Sequence, residues 1–350
     1  MAKFLVYSDV HFNEHSSIIR SEGEKYSTRL ENLIQSVNWA EKLAVEQGCD
    51  EIICLGDFFH APDLNSREIT ALQEICWADM PHTFIVGNHD ASTKSLKYNS
   101  IMALKNNGFK IIMEPELTTI SDVNGIKQLL FLPYITESSD ISLKDYQINK
   151  DYPCVILSHN DIKGIQYGFI MSKHGFDIKE IDEMGYLFLN GHIHNHSKFG
   201  KKAFNLGNLT GQNFSEDAFK YPHQVAILDT ANTTLEFIEN PYAFNFYAIT
   251  VNNILDLKNI REIKGNAVLS IKCDEQLKPD LLKILDELAH KIVAKRIIFT
   301  IKPQNDSDVK ITELQNHSTS YLNEFNNFCK ATIENVDLEV LEYELAEVCK

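Results

Sequence analysis

Five short apolar runs in this chain each stop at residues able to bind a metal ion. Phe4–Tyr7 leads into Asp9-Val10-His11, and Ile52–Leu55 into Gly56-Asp57-Phe58-Phe59-His60. Thr83–Val86 is followed by Gly87-Asn88-His89-Asp90, Val155–Leu157 by Ser158-His159-Asn160-Asp161, and Leu187–Leu189 by Gly191-His192-Ile193-His194. Apolar runs bounded by polar or glycine residues read as buried strands. One such cluster could be an ordinary turn, since Gly, Asn and Asp all favour turns. Five in succession after buried strands point to one shared site.

The segments between the runs carry helical spacing. Leu30, Leu33, Ile34, Val37, Ala40, Leu43 and Ala44 fall on one face, and Gly48 follows as a stop. A second helix is expected from Asn65 or Ser66, carrying Ile69, Leu72 and Ile75–Cys76, and a third over Ser95–Asn107, ending at Gly108. Strands alternating with helices predict a layered α/β domain. In open α/β sheets, ligands bind beyond the carboxyl ends of the strands, where the five clusters would meet. Asp-x-His and His-x-His are expected to project two side chains to one side of an extended segment. The glycines before Asp57, Asn88 and His192 allow tight turns and close backbone approach. Imidazole and carboxylate suit Mn, Fe or Zn. Two such ions ~3.5–4 Å apart activate a water and clamp the oxygens of a phosphoester.

Composition narrows the class. The 350 residues, 44% of them hydrophobic, suit a globular protein of two or three domains. The seven cysteines are scattered without a CxxC pair, so neither a disulfide framework nor a thiolate zinc site is expected. The opening MAKFLVYSDVHF lacks the pattern of a signal peptide, and no apolar run approaches the ~20 residues of a membrane span, so a cytoplasmic location is expected. A formal charge of −16 argues against nucleic acid, but unevenly. Residues 250–310 hold eleven Lys or Arg against nine Asp or Glu, while residues 311–350 hold eight acids against two bases. Bound metal ions would add positive charge where phosphate binds.

The pattern changes near Asn240-Pro241. The aromatic stretch Tyr242–Tyr247 leads into a smaller unit, read as a βαβ module with strand Ala267–Cys273, helix Pro279–Ala294 and strand Arg296–Lys302. Residues 303–310 read as a linker. Two helical patterns follow, on Leu322, Phe325, Phe328–Cys329 and Ile333, then on Leu338, Leu341, Leu345 and Val348. The expected domains are 1–240, 241–310 and 311–350.

The ordered series Asp9-x-His11, Gly56-Asp57, Gly87-Asn88-His89-Asp90, His159 and Gly191-His192-x-His194 resembles the calcineurin-like metallophosphoesterases across residues 1–240. The resemblance implies a β-sandwich flanked by helices and a pair of divalent ions, with Mn2+ expected and Mg2+, Fe2+ or Zn2+ as alternatives. It gives one ion Asp9, His11 and His194, and the other Asn88, His159 and His192, with Asp57 bridging. His89 becomes the general acid or transition-state stabiliser.

Three further features resemble the SbcD-like nuclease branch of DNA double-strand-break repair, in a short, phage-like form. His60, in Asp57-Phe58-Phe59-His60, matches a histidine that pairs there with the one at His89 and approaches the DNA phosphate; a supporting or surface histidine is the alternative. The segment Asn205–Glu216 resembles the branch's glycine turn followed by Thr, Phe and an acid, but has Gln212-Asn213 where an Arg is often seen. That segment either contacts phosphate or supports the metal site. The module at 267–302 resembles a capping domain, with Lys295, Arg296 and Lys302 available to phosphate. The resemblance implies a two-metal DNA nuclease in repair, recombination or replication, with DNA and an SbcC-like SMC-type ATPase as partners. The apolar stripe Leu338–Leu341–Leu345–Val348 would suit that ATPase, the alternative being that both C-terminal helices pack on their own cap domain. A homodimer within a heterotetramer is also implied, built near Ile69–Trp77 and Ser95–Leu104, where an amphipathic helix in a monomer core would look the same. An esterase for small phosphodiesters or phosphoproteins is the first alternative, and a non-catalytic scaffold for the ATPase the second.

Overall fold

The computed structural model describes residues 2–19, 21–92, 95–120, 128–135, 141–167, 170–231 and 234–300. The described residues fall in one compact unit, which ends at Thr300. The expected linker, Lys302 and both C-terminal helical patterns lie outside the described residues.

The first expected helix is α1 (Thr28–Glu46), between strands β1 (Lys3–Tyr7) and β2 (Glu51–Cys54). Ser27 caps it by accepting the Leu30 N–H, and Gly48 follows with φ +63°. The second helix, α2 (Ser66–Leu72), is shorter than the spacing predicts. It starts with a capping box between Asn65 and Glu68, and the chain then turns away as the Cys76 N–H donates to Asn38 on α1. The third expected helix is corrected. Ser95–Asn99 pairs antiparallel with Ala91–Ser92, and a 3-10 helix covers only Ser100–Asn107 before Gly108. Strand pairing there overrides helical spacing.

The remaining strands of the sandwich are β3 (His82–Ile85), β4 (Lys110–Ile112), β5 (Glu116–Thr119), β6 (Gln128–Leu132), β7 (Cys154–Ser158), β8 (Leu187–Asn190), β9 (Ser197–Lys198), β10 (Ala203–Asn205), β11 (Gln224–Asp229) and β12 (Thr234–Glu239); α3 (Ile178–Met184) precedes β8. One six-stranded sheet runs β12-β11-β1-β2-β3-β4 and the other β9-β10-β8-β7-β6-β5. β1–β4 run parallel in the first sheet and β6, β7, β8 and β10 in the second; β11 and β12 at one side of the first sheet, and β5 and β9 at the two edges of the second, pair antiparallel.

Side-chain alternation sorts these strands into layers. Phe4, Val6, Ile53, Leu55 and Ile85 meet Leu129, Phe131, Val155, Leu157 and Leu189 between the sheets. Leu5, Tyr7, Ile52, Cys54 and Phe84 face the other way, onto Leu30, Leu33, Val37 and Ala40 of α1. On the far side, Leu130, Ile156 and Phe188 pack with Ile181 of α3. The result is the expected α/β sandwich flanked by helices. Truncating Leu157, buried between the sheets, would cost ~2–5 kcal/mol.

Past Asn240 the chain enters a third sheet: β13 (Asn245–Val251), β14 (Ala267–Asp274) and β15 (Ile292–Thr300), all parallel. The crossovers carry α4 (Leu257–Ile260) and α5 (Lys278–Glu287), so the module is βαβαβ. The expected helix Pro279–Ala294 ends seven residues early, because β-branched Ile292-Val293 joins β15 beside Ala267 and Val268. Leu281, Ile284 and Leu285 cover one face of this sheet. On the other face, Phe246 and Val268 pack on Ile18, Ile19 and Phe214, from loops that adjoin the polar clusters.

Candidate metal centre

All seven expected ligands come together at the carboxyl ends of β1, β2, β3, β7 and β8. Three groups among the described residues are spaced to hold an ion: His11, His60 and His89, and, made only of expected ligands, a first group of Asp9, His11 and His194 and a second of Asp57, His159 and His192. Asp57 lies between them, with Oδ2 3.2 Å from His159 Nε2 and 3.7 Å from His11 Nε2. Asn88 joins the second group, its Oδ1 2.9 Å from His192 Nδ1 and 3.3 Å from His159 Nε2.

The local backbone differs from the expected extended pairs. Asp9, His11, Asp57 and His192 adopt left-handed φ of +53°, +48°, +50° and +72°. Such values are uncommon outside glycine and concentrate at functional sites, where the surrounding structure must hold them. The left-handed turns, rather than a period of two, aim these side chains inward. Asp9 and His11 enter the same group, whereas His192 and His194 part to different groups. The glycines act as the sequence suggests. A Cβ on Gly87 would collide with Asp57 Oδ1, and one on Gly191 with Ser8 Oγ. Gly56, at φ +111°, leaves room for the His159 ring.

The donor set fits cations. Asp9 Oδ1 is buried with no hydrogen-bond partner, and the Nε2 atoms of His11 and His194 point at each other across 3.0 Å. Buried unpaired oxygens and facing nitrogens are costly unless a cation lies among them. Burial raises the Asp9 carboxyl and lowers the His11 imidazole well below its usual value. Burial would also raise Asp57, but the charge and hydrogen bond of His159, with His11 and His89, hold it below the carboxylate range. Burial works against charge on His159 and His194 as well. Asp57 nevertheless lifts His159 to about 9, and Glu216 lifts His194 to about 9.

Sequence reasoning assigned no role to several supporting residues. Asp90 is fully buried and accepts the backbone N–H groups of Asp57 and Gly87 on Oδ2 and of Phe59 on Oδ1, each at 2.8 Å. Glu216 Oε1 accepts from His194 Nδ1 at 2.8 Å, and its Oε2 from Asn208 Nδ2 and Gln212 N–H. The Asn205–Glu216 segment thus braces the centre. The Arg29 guanidinium donates to Gly211 O at 2.7 Å, lowered to about 10 by burial against the pull of Glu216. Asp90, Asp161 and Glu216 all stand within the polar stretches of the sequence, but only their contacts distinguish them from turn residues.

His60 and His89 flank the first group. Their rings stack at 5.2 Å and 28°, and the His89 ring lies 4.7 Å from that of His11. The His89 backbone N–H donates to Asp57 Oδ1 at 2.8 Å, and His89 Nδ1 lies 2.9 Å from His60 O. On the other flank, the Tyr134 ring stands 5.7 Å from His192.

The sandwich agrees with the family comparison. The calcineurin-like phosphoesterase family matches residues 2–196. The chain belongs to the calcineurin-like phosphoesterases. It is therefore a metal-dependent hydrolase of ester bonds; the family uses a dinuclear divalent centre, and the His and Asp groups above could bind metal ions. Among solved structures, a purple acid phosphatase from yellow lupin seeds is 12% identical with a TM-score of 0.42, covering 68% of this chain and 51% of its own. A dimetal phosphatase from Danio rerio is 12% identical with a TM-score of 0.36, covering 68% and 99%. A protein of Thermus thermophilus is 13% identical with a TM-score of 0.40, covering 68% and 98%. A search of curated proteins finds no match. No helix among the described residues is long and apolar enough to cross a membrane.

Proposed function

We propose that this phosphoesterase is a DNA nuclease of the SbcD type, acting in the cytoplasm on phosphodiester bonds. Asp9, His11 and His194 would hold one ion and Asn88, His159 and His192 the other, with Asp57 shared. Mn2+ is the proposed metal. When bound, the ions supply Lewis acidity to the phosphoester and an activated water. The chain's own part begins with His89, whose ring is held by His60 O and whose backbone N–H donates to Asp57. In that position the imidazole stabilises charge on the phosphate or passes a proton to the leaving oxygen. The observation that carries the reading is the stacked His60–His89 pair beside the first group.

The proposed division keeps residues 1–240 for hydrolysis, 241–310 for capping the DNA path and 311–350 for an SbcC-like SMC-type ATPase. Lys295 and Arg296, both exposed on β15, are available to phosphate. A homodimer within a heterotetramer with that ATPase completes the proposal.

A second reading has one observation in its favour. The net charge of −16 suits a small phosphodiester or phosphoprotein substrate better than a polyanion. The test is cleavage of linear and single-stranded DNA with Mn2+ by wild type, His89→Ala and His192→Ala. Metal-dependent cleavage lost in both variants supports the nuclease. Activity on small phosphodiesters with none on DNA supports the second reading.

A further inference from the structure

Each of the four histidines at the centre has one ring nitrogen turned outward, and each of those nitrogens meets a different neighbour. His159 Nδ1 faces Leu55 O at 2.7 Å, and His194 Nδ1 faces Glu216 Oε1 at 2.8 Å. His11 Nδ1 faces His60 Nδ1 at 3.4 Å. All three present Nε2 inward, to Asp57 or to one another. His192 is reversed. Its Nδ1 lies 2.9 Å from Asn88 Oδ1 inside the centre, and its Nε2 lies 3.3 Å from Asp161 Oδ1.

A neutral imidazole has one donor and one acceptor nitrogen, and the partner of the donor decides which is which. A carboxylate behind Nε2 accepts a hydrogen bond from a proton there, which leaves Nδ1, the nitrogen beside Asn88 Oδ1, available to a cation held between the two. Asp161 is set firmly enough for this. Its carbonyl accepts the Phe176 N–H at 3.0 Å, and the next residue, Ile162, is buried and bridges Phe176. Gly175, at φ +97°, packs so closely that a Cβ there would collide with the Asp161 backbone.

We propose that Asp161 is a positioning residue for the second ion, acting through His192. Its carboxylate holds the reversed imidazole with Nδ1 inward, as the Leu55 carbonyl holds His159 and Glu216 holds His194 with Nε2 inward. The proposal rests on the metal-centre reading above. Outer partners of this kind change metal affinity by ~10–100-fold when removed.

The experiment titrates Mn2+ into wild type, Asp161→Ala, Asp161→Asn and His192→Ala by calorimetry against a competing chelator. Folding is checked by denaturant midpoint without metal. Wild type should bind two ions. Asp161→Ala should bind one of them ~10–100-fold more weakly and leave the other unchanged. Asp161→Asn keeps an oxygen acceptor and should recover most of the loss. Equal binding of both ions by wild type and Asp161→Ala overturns the positioning role while leaving the centre intact. No binding by wild type overturns both.

Discussion

Asp90 Oδ2 accepts the backbone N–H of Asp57 at 2.8 Å, and through this bond a buried carboxylate holds the central ligand in its left-handed turn. The same carboxylate holds Gly87 and Phe59, so it ties the ends of β2 and β3 to one point. Burial and the charge of Asp57 push the Asp90 carboxyl up to about 8. Removing it strands three buried donors, each worth ~1–3 kcal/mol. Asp90→Ala should therefore lower stability by about 3 kcal/mol or more and weaken metal binding, measured by denaturant unfolding with and without Mn2+. A loss under ~1 kcal/mol would show that the bonds to Asp57, Gly87 and Phe59 add little.

Glu216 should matter to the first ion as Asp161 does to the second. Its carboxylate lies behind His194 and also gathers Asn208 and Gln212. Glu216→Ala removes the acceptor behind His194 and is expected to weaken metal binding by ~10-fold or more. The measurement is a chelator-competition titration; unchanged affinity would leave Glu216 with loop packing alone.

The buried thiols give a pH dependence remote from the centre. Burial pushes Cys154 up to about 12 and Cys49 up to about 11, from a usual value near 9.0. A folded-state value above the unfolded one favours the neutral thiol in the native chain, so this contribution is whole below pH 9.0. It is lost as pH climbs toward 11 for Cys49 and 12 for Cys154. Denaturant midpoints should fall above about pH 9, and less steeply in Cys154→Ala. Equal slopes in the two proteins would refute the assignment to Cys154.

The proposed dimer has a surface to test. Tyr98, Ile69 and Met102 are 71%, 50% and 36% exposed in the two segments expected to pair. Single exposed apolar residues are ordinary, so these three serve as probes of the proposed interface. Tyr98→Glu combined with Met102→Glu should halve the sedimenting mass while leaving hydrolysis of a small phosphodiester unchanged. A monomeric wild type would remove the proposal.

Much of the site was legible because its ligands are local signals. Asp9, Asp57, Asn88, His159 and His192 each stand within three residues of an apolar run whose burial dictates a strand. The third expected helix was not legible, because Ser95–Asn99 carries helical spacing and is diverted by pairing with Ala91–Ser92. The same holds for Ile292-Val293, drawn from the end of a helix into β15.

The sequence by itself determined which residue types meet at the carboxyl ends of the strands, and hence the class of chemistry. Only the tertiary structure decided which nitrogen of each histidine faces inward. That choice belongs to partners distant along the chain, such as Leu55 O, 104 residues from His159, and Glu216, 22 residues from His194. An imidazole tautomer follows its hydrogen-bond partner, and those partners become neighbours only when the two sheets close on each other.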